Sequence, residues 1–336
     1  EIYERAEFRV LMTGTMTRGD QRPIAFLSYC QNDANNISIN LQNAPETHVI
    51  SYTRKNALAD KAIIPLEFHF ADGVASWRKG SGKETTAKLS TSRGDANQAL
   101  FTALKTEYAE ELLVSGVDHW KWWRKDVNPR STLLVVAANI ETAKKYTHHL
   151  KRRGLHAEIA TSDDTPEAIK YINALKTGNL AMLVSVAMCS EGLDVPSLDH
   201  EIALTNIRSE PWIIQMTART NRIDPPAGPY ESQKGHIFAP ADRMFVDLAG
   251  KIEADQCEEV AKQKQAADLR ESNGSGNGRP GYTPLESRMI GQGGIEDLPL
   301  FGGFSDKMRQ NMPENVQNLT TASEAEAELL EAIDSH

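Results

Sequence analysis

Between residues 129 and 250 the chain alternates short, largely apolar runs with longer segments whose apolar residues recur three and four apart. "STLLVVAAN" (131–139) is an apolar run of strand length, "ETAKKYTHHLKRRG" (141–154) reads as a helix stopped by Gly154, and "HAEIATS" (156–162) is a second strand. "TPEAIKYINALKTG" (165–178) predicts a helix with Thr165 as its cap, Pro166 in the first turn, Ile169, Ile172 and Leu175 on one face, and Gly178 as its stop. "LAMLVSVAM" (180–188), "EIALT" (201–205) and "GHIFAP" (235–240) predict further strands, and Pro211 opens a helix that carries "QMTARTNR" (215–222). Strands apolar on both faces, alternating with helices, predict a parallel sheet with helices on both faces, an α/β domain over 129–250.

The flanks read differently. Residues 1–66 hold two strand-like runs, "RVLMTGT" (9–15) and "AIIPLEFHF" (62–70), expected to be the end of a preceding domain. Residues 67–128 form a connecting segment in which "WRKGSGKETTAKLSTSR" carries five basic side chains and one acid, followed by a helix around "NQALFTALKTEYAEELL". Over 251–336 a helix gives way to "SNGSGNGRPG" (272–281), a flexible linker, and then to a tail expected to be mostly disordered. Ser323 and Glu326, at capping-box spacing, predict one short acidic helix in it.

Length and charge sharpen this division. The 336 residues, 40% of them apolar, suffice for about two domains. Residues 251–336 hold 8 basic and 16 acidic side chains, so nearly all of the net charge of −9 sits in the tail. A near-neutral body leaves room for local basic grooves that attract phosphate. Cys30, Cys189 and Cys257 have neither disulfide nor zinc-ligand spacing, so no metal site is expected and a reducing, cytoplasmic compartment fits. No apolar run approaches the roughly 18–20 residues of a membrane span, so no membrane partner is expected. The first residue is Glu1 and a strand begins almost at once, which predicts the cut edge of a longer chain.

In parallel sheets the loops after the strands carry the chemistry. Three such loops stand out: "TGTMTRGD" (13–20), "CSEGLDVPSLDH" (189–200), and the segment leading into "QMTARTNR". Each alone has a bland reading, as a turn, a strand exit, or a solvated helix face suited to the helix dipole. In this order and spacing they resemble the later motifs of superfamily 2 DEAD/DEAH-type helicases and translocases. "TGT" resembles motif III, "VSVAMCSEGLDVP" motif V, and "QMTARTNR" the QxxGRxxR of motif VI, with Ala218 where the motif has glycine; "TLLVVAANIETAKKY" sits where motif IV would. The restriction-enzyme and phage-like branch is the nearest in flavour.

The resemblance, over about residues 8–245, implies a P-loop NTPase fold of two RecA-like lobes with ATP and Mg2+ between them. This chain would carry the end of the first lobe and all of the second. Arg219 and Arg222 would be catalytic, and Gln215, Gly192 and Asp194 would bind ATP. Thr13, Gly14 and Thr15 would couple ATP to nucleic-acid grip, and Ser185, Asn139 and Ser162 would contact phosphates of DNA, with RNA left open. "RKGSGKETTAK" lacks the first glycine of a Walker A loop and has Glu84 after Lys83, and the chain has no Asp-Glu dipeptide for Walker B. The magnesium ligands are therefore expected in a missing N-terminal lobe, and this chain alone is expected to be inactive. "HWKWWRK" (119–125) either stacks on bases or plugs its segment onto the lobe. The functional reading is the C-terminal half of an ATP-dependent helicase; a restriction-type duplex translocase subunit and a non-catalytic nucleic-acid-binding lobe are the alternatives.

Overall fold

The computed structural model describes residues 29–33, 36–39, 50–78, 84–91, 94–186, 193–254, 256 and 320–321. Thr13, Gly14, Thr15 and Gly192 lie outside them. Among the described residues the central sheet has the order β11-β3-β10-β9-β6-β8-β7. It comprises β3 (Leu66–Ala71), β6 (Thr132–Ala137), β7 (Glu158–Ala160), β8 (Met182–Ser185), β9 (Leu198–Leu204) and β10 (Gly235–Pro240), all parallel. A two-residue strand β11 (Thr320–Thr321) pairs antiparallel with β3 at the edge. Two small antiparallel pairs lie apart in sequence: β1 (Tyr29–Asp33) with β2 (Asn36–Ile39), and β4 (Val74–Arg78) with β5 (Glu84–Lys88).

Alternation along each strand sorts the core onto two faces. Leu133, Val135, Val184, Ile202, Leu204 and Phe238 meet α3 (Glu107–Asp126) and α4 (Ile140–Arg152) on one side. Leu134, Val136, Leu183, Ala203, Ile237, Phe68 and Phe70 meet α5 (Thr165–Lys176), α6 (Glu210–Thr217) and α7 (243–254) on the other. The fold is the expected α/β, RecA-like sheet with helices on both faces. Helix α3 sits close because Gly116 has no side chain; a Cβ there would come within 2.7 Å of Ile202.

Two expectations about the flanks change. β3 does not close a separate preceding domain: six consecutive residues, Leu66 to Ala71, pair in parallel with Gly235 to Pro240 of the same sheet. The reason is that strand order follows burial and not sequence order, and β3, buried along Leu66–Phe70, needs cover on both faces. The expected helix over 97–113 is two helices, α2 (Ala96–Ala103) and α3, separated at Leu104–Thr106. The boundary drawn at residue 129 therefore cuts through one layered unit, since α3 packs on β9 and β10.

Helix boundaries mostly follow the predicted signals. Gly154 and Gly178 end α4 and α5 with φ of 76° each, a conformation that suits glycine. The cap of α5 is Asp164, not Thr165: its carboxylate accepts from the Glu167 backbone N–H at 3.0 Å. Trp120 and Trp123 of "HWKWWRK" are buried against the sheet while Lys121 and Lys125 are exposed, so the segment plugs its helix onto the lobe. Base stacking by these two rings does not fit that burial.

Candidate functional site

Helix α6 starts beyond the exit of β9 and runs back along the sheet. It ends at Thr217, so Gln215, Arg219 and Arg222 are not on one continuous helix face as the sequence suggested. Ala218 is its C-terminal cap, with φ −65° and ψ −6°. That is ordinary right-handed backbone, so alanine stands at the motif's glycine position without strain. The chain then turns tightly. Asn221 O accepts from Ile64 N at 2.8 Å, just before β3 begins, and the Thr220 carbonyl packs on Gly235, the first residue of β10. The two arginines therefore sit at the entry edge of β3, β9 and β10, not at the strand exits where the sequence placed them.

The turn nevertheless brings the predicted ATP-binding residues together. Leu193, Asp194, Gln215, Ala218, Arg219 and Arg222 line one open pocket of about 170 Å³. Arg219 is buried, and its Nη1 donates to the Leu193 carbonyl at 3.1 Å. Arg222 is half exposed and its Nη1 lies 3.6 Å from Asp194 Oδ1, itself 69% exposed. So loose an exposed pair is worth little, about 0–1 kcal/mol, and leaves the guanidinium ready to exchange a carboxylate for a phosphate. The pocket thus holds one buried, hydrogen-bonded guanidinium and one half-exposed guanidinium. Only one carboxylate, Asp194, lines it.

Sequence reasoning missed Glu201. It lies in the middle of β9, on the face opposite α3, fully buried, and neither carboxyl oxygen has a hydrogen-bond partner among the described residues. Burial pushes its pKa from 4.5 up to about 8, with the Arg219 charge pulling partly the other way. At neutral pH the Glu201 carboxyl is mostly protonated. The signal existed in "HEIAL", a glutamate inside an apolar strand of a sheet predicted to be covered on both faces.

The expected phosphate-binding residues divide. Asn139 and Ser162 are exposed at the exits of β6 and β7, on the same sheet edge. Asn139 also caps α4, accepting from Thr142 N at 2.9 Å. Ser185 is fully buried, and its hydroxyl donates to the Ala160 and Val186 carbonyls at 2.8 and 3.0 Å. It fastens β8 to β7, and among the described residues its hydroxyl is engaged by these carbonyls. Among the described residues no helix is long and apolar enough to cross a membrane.

Residues 107–224, from α3 to just beyond the arginine turn, match the family model described as "Helicase conserved C-terminal domain". The "Uncharacterized protein Rv2917" of Mycobacterium tuberculosis is 28% identical over 257 residues, 75% of this chain and 40% of that protein. The UvrABC system protein B of Acinetobacter baylyi is 32% identical over 136 residues, 39% of this chain and 18% of that protein. Among solved structures, S. cerevisiae Dbp5 bound to RNA and ADP BeF3 is 16% identical over 44% of this chain and 36% of that chain, with a TM-score of 0.33. The Pyrococcus furiosus Hef helicase domain is 21% identical over 40% of this chain and 26% of that chain, with a TM-score of 0.29. This chain spans about 40% of the length of the mycobacterial proteins it matches.

Proposed function

We propose that this chain, with its helicase C-terminal domain, supplies the second half of an ATP-dependent nucleic-acid motor, acting in the cytoplasm. Asp194, Gln215, Arg219 and Arg222, together with Gly192, form one wall of a nucleotide cleft. The facing wall is an N-terminal RecA-like lobe with the phosphate loop and the magnesium ligands. The observation that carries this reading is the shared pocket: four side chains from two segments more than twenty residues apart meet at one edge of the sheet. Their chemistry suits a nucleoside triphosphate, with two guanidiniums for phosphate oxygens and a carboxylate for ribose hydroxyls. It does not suit a magnesium ion, which prefers oxygen ligands such as carboxylates and phosphates.

The other sheet edge suits the track. Asn139 and Ser162 are exposed polar groups at the exits of β6 and β7, placed to contact backbone phosphates of DNA without reading sequence. Thr13, Gly14 and Thr15 couple the two sites. Guanidiniums presented from one lobe act only when the cleft closes, which ties hydrolysis to closure and so to movement. The "TGT", "EGLD" and glutamine-led motifs favour the restriction-enzyme and phage-like branch.

The test uses the complete protein. Arg219→Lys and Arg222→Ala are each expected to lower kcat for nucleic-acid-stimulated ATP hydrolysis by about 10³-fold or more, the low end for an arginine finger, with a much smaller change in nucleotide affinity. The present chain alone is expected to show no turnover. Retained turnover in both variants would return the arginines to a structural role. Strand-displacement and triplex-displacement assays separate unwinding from duplex translocation.

A further inference from the structure

Four of the nine histidines converge behind the entry edge of the sheet. His69 lies on β3, His236 on β10, His200 on β9 and His119 on α3, and all four are buried. The His119–His236, His200–His236 and His69–His119 ring centroids are 4.8, 4.7 and 5.3 Å apart. His69 Nε2 is 3.2 Å from His236 Nδ1, and His119 Nδ1 is 2.9 Å from His200 Nε2. One nitrogen from each of His69, His119 and His236 lies within 4.8 Å of the other two. Two carboxylates, Glu67 and Asp199, are buried with them.

Packing these groups between Phe238 and Trp123 is costly unless their polar atoms are used. Yet Glu67 Oε1 has no hydrogen-bond partner among the described residues. The proton arrangement can be worked out from Asp199. Its Oδ2 accepts from Trp123 Nε1 at 3.1 Å and Asn128 Nδ2 at 2.9 Å, its Oδ1 accepts from the Ser131 hydroxyl, and Oδ1 lies 2.8 Å from His200 Nδ1. An acceptor there puts the His200 proton on Nδ1 and leaves its Nε2 bare. That Nε2 accepts from His119 Nδ1–H, so the lone pair of His119 is on Nε2. Asp199 therefore orients His119 only through His200, one residue further removed than the carboxylate that usually supports a metal-binding histidine.

We propose that His69, His119 and His236 form a structural site for a divalent transition metal, zinc fitting best. The 3.2 Å between His69 Nε2 and His236 Nδ1 is close to the edge of a tetrahedron whose Zn–N bonds are about 2.0–2.1 Å. His119 closes inward to complete the face. Glu67, whose Oε2 is 3.9 Å from His236 Nδ1, supplies the fourth ligand and a compensating negative charge. Imidazole-rich sets select zinc, copper, nickel or iron over magnesium and calcium. One ion at this point joins β3, β10 and α3, elements separated by up to 167 residues of chain.

The experiment uses the full chain without a histidine tag, stripped with chelator and titrated with Zn2+ by calorimetry and with Co2+ by visible absorption. One ion per chain, a tetrahedral Co2+ spectrum and a Zn2+-dependent rise in Tm are expected. Asp199→Asn, which acts on His119 only through His200, is expected to weaken binding about 10-fold, the low end for losing a supporting carboxylate, and His236→Gln to weaken it further. His148→Gln and His156→Gln, on exposed histidines, should change nothing. No stoichiometric uptake by the wild type would overturn the proposal, as would uptake that survives His236→Gln but is lost with the exposed histidines. Should His236→Gln fail to fold by circular dichroism, the wild-type Co2+ spectrum decides: tetrahedral bands support the site and the weak octahedral spectrum overturns it.

Discussion

Glu201→Gln is expected to make the protein more stable at neutral pH. A folded-state pKa of about 8 against 4.5 means that the native state binds more protons than the unfolded chain throughout that interval. The stability supplied by the neutral carboxyl is therefore fully present below about pH 4.5 and is lost as pH rises towards 8. At about 1.4 kcal/mol per pH unit, the wild type has lost about 3 kcal/mol by pH 7 from this group alone. Glutamine has the size and hydrogen-bonding capacity of the protonated acid and does not titrate. Urea unfolding of both proteins, followed by circular dichroism at pH 5, 6, 7 and 8, should give curves that nearly meet at pH 5 and separate by about 3 kcal/mol at pH 7, since every other titration is common to both. Parallel curves would refute the reasoning and place solvent or a charge partner at Glu201. The same variant should leave Arg219 in place, so nucleotide-dependent behaviour at pH 7 should change little.

Arg208 and Asp242 form a buried, bidentate pair with contacts of 2.8–3.0 Å at the start of α7, so Arg208→Ala should cost about 3–5 kcal/mol by leaving a carboxylate stranded, measured as a drop in the urea midpoint. Asn139→Ala should cost about 1 kcal/mol through the α4 cap and, if this edge meets the track, weaken nucleic-acid binding in a filter or anisotropy assay. Ser185→Ala should cost about 0.5–1.5 kcal/mol of stability and leave nucleic-acid affinity unchanged; a selective loss of affinity would restore the phosphate-binding role. Together with the arginine variants, these separate what holds the lobe from what the lobe does.

The strands and helices from Thr132 to Pro240 were readable in the sequence because each is local: a run such as "TLLVVA" is apolar on both sides, and Gly154 and Gly178 mark stops that depend only on their own backbone. The association of Asp194, Gln215, Arg219 and Arg222 was suggested by the resemblance to helicase motifs, but its location on the sheet was not. Where α6 ends is decided by the turn at 218–221, which is fixed by contacts with Ile64 and Gly235 from distant parts of the chain. For the same reason β3 was assigned to the wrong unit: pairing with β10 is a choice made across more than 160 residues, and no periodicity reports it. Ser185 and Glu201 show the limit most plainly. The motif resemblance made Ser185 a phosphate ligand, and Glu201 was passed over inside an apolar strand. Burial decided both, because hydrogen-bond partners and ionisation depend on what covers a side chain, and coverage exists only once the sheet has closed between its two layers of helices.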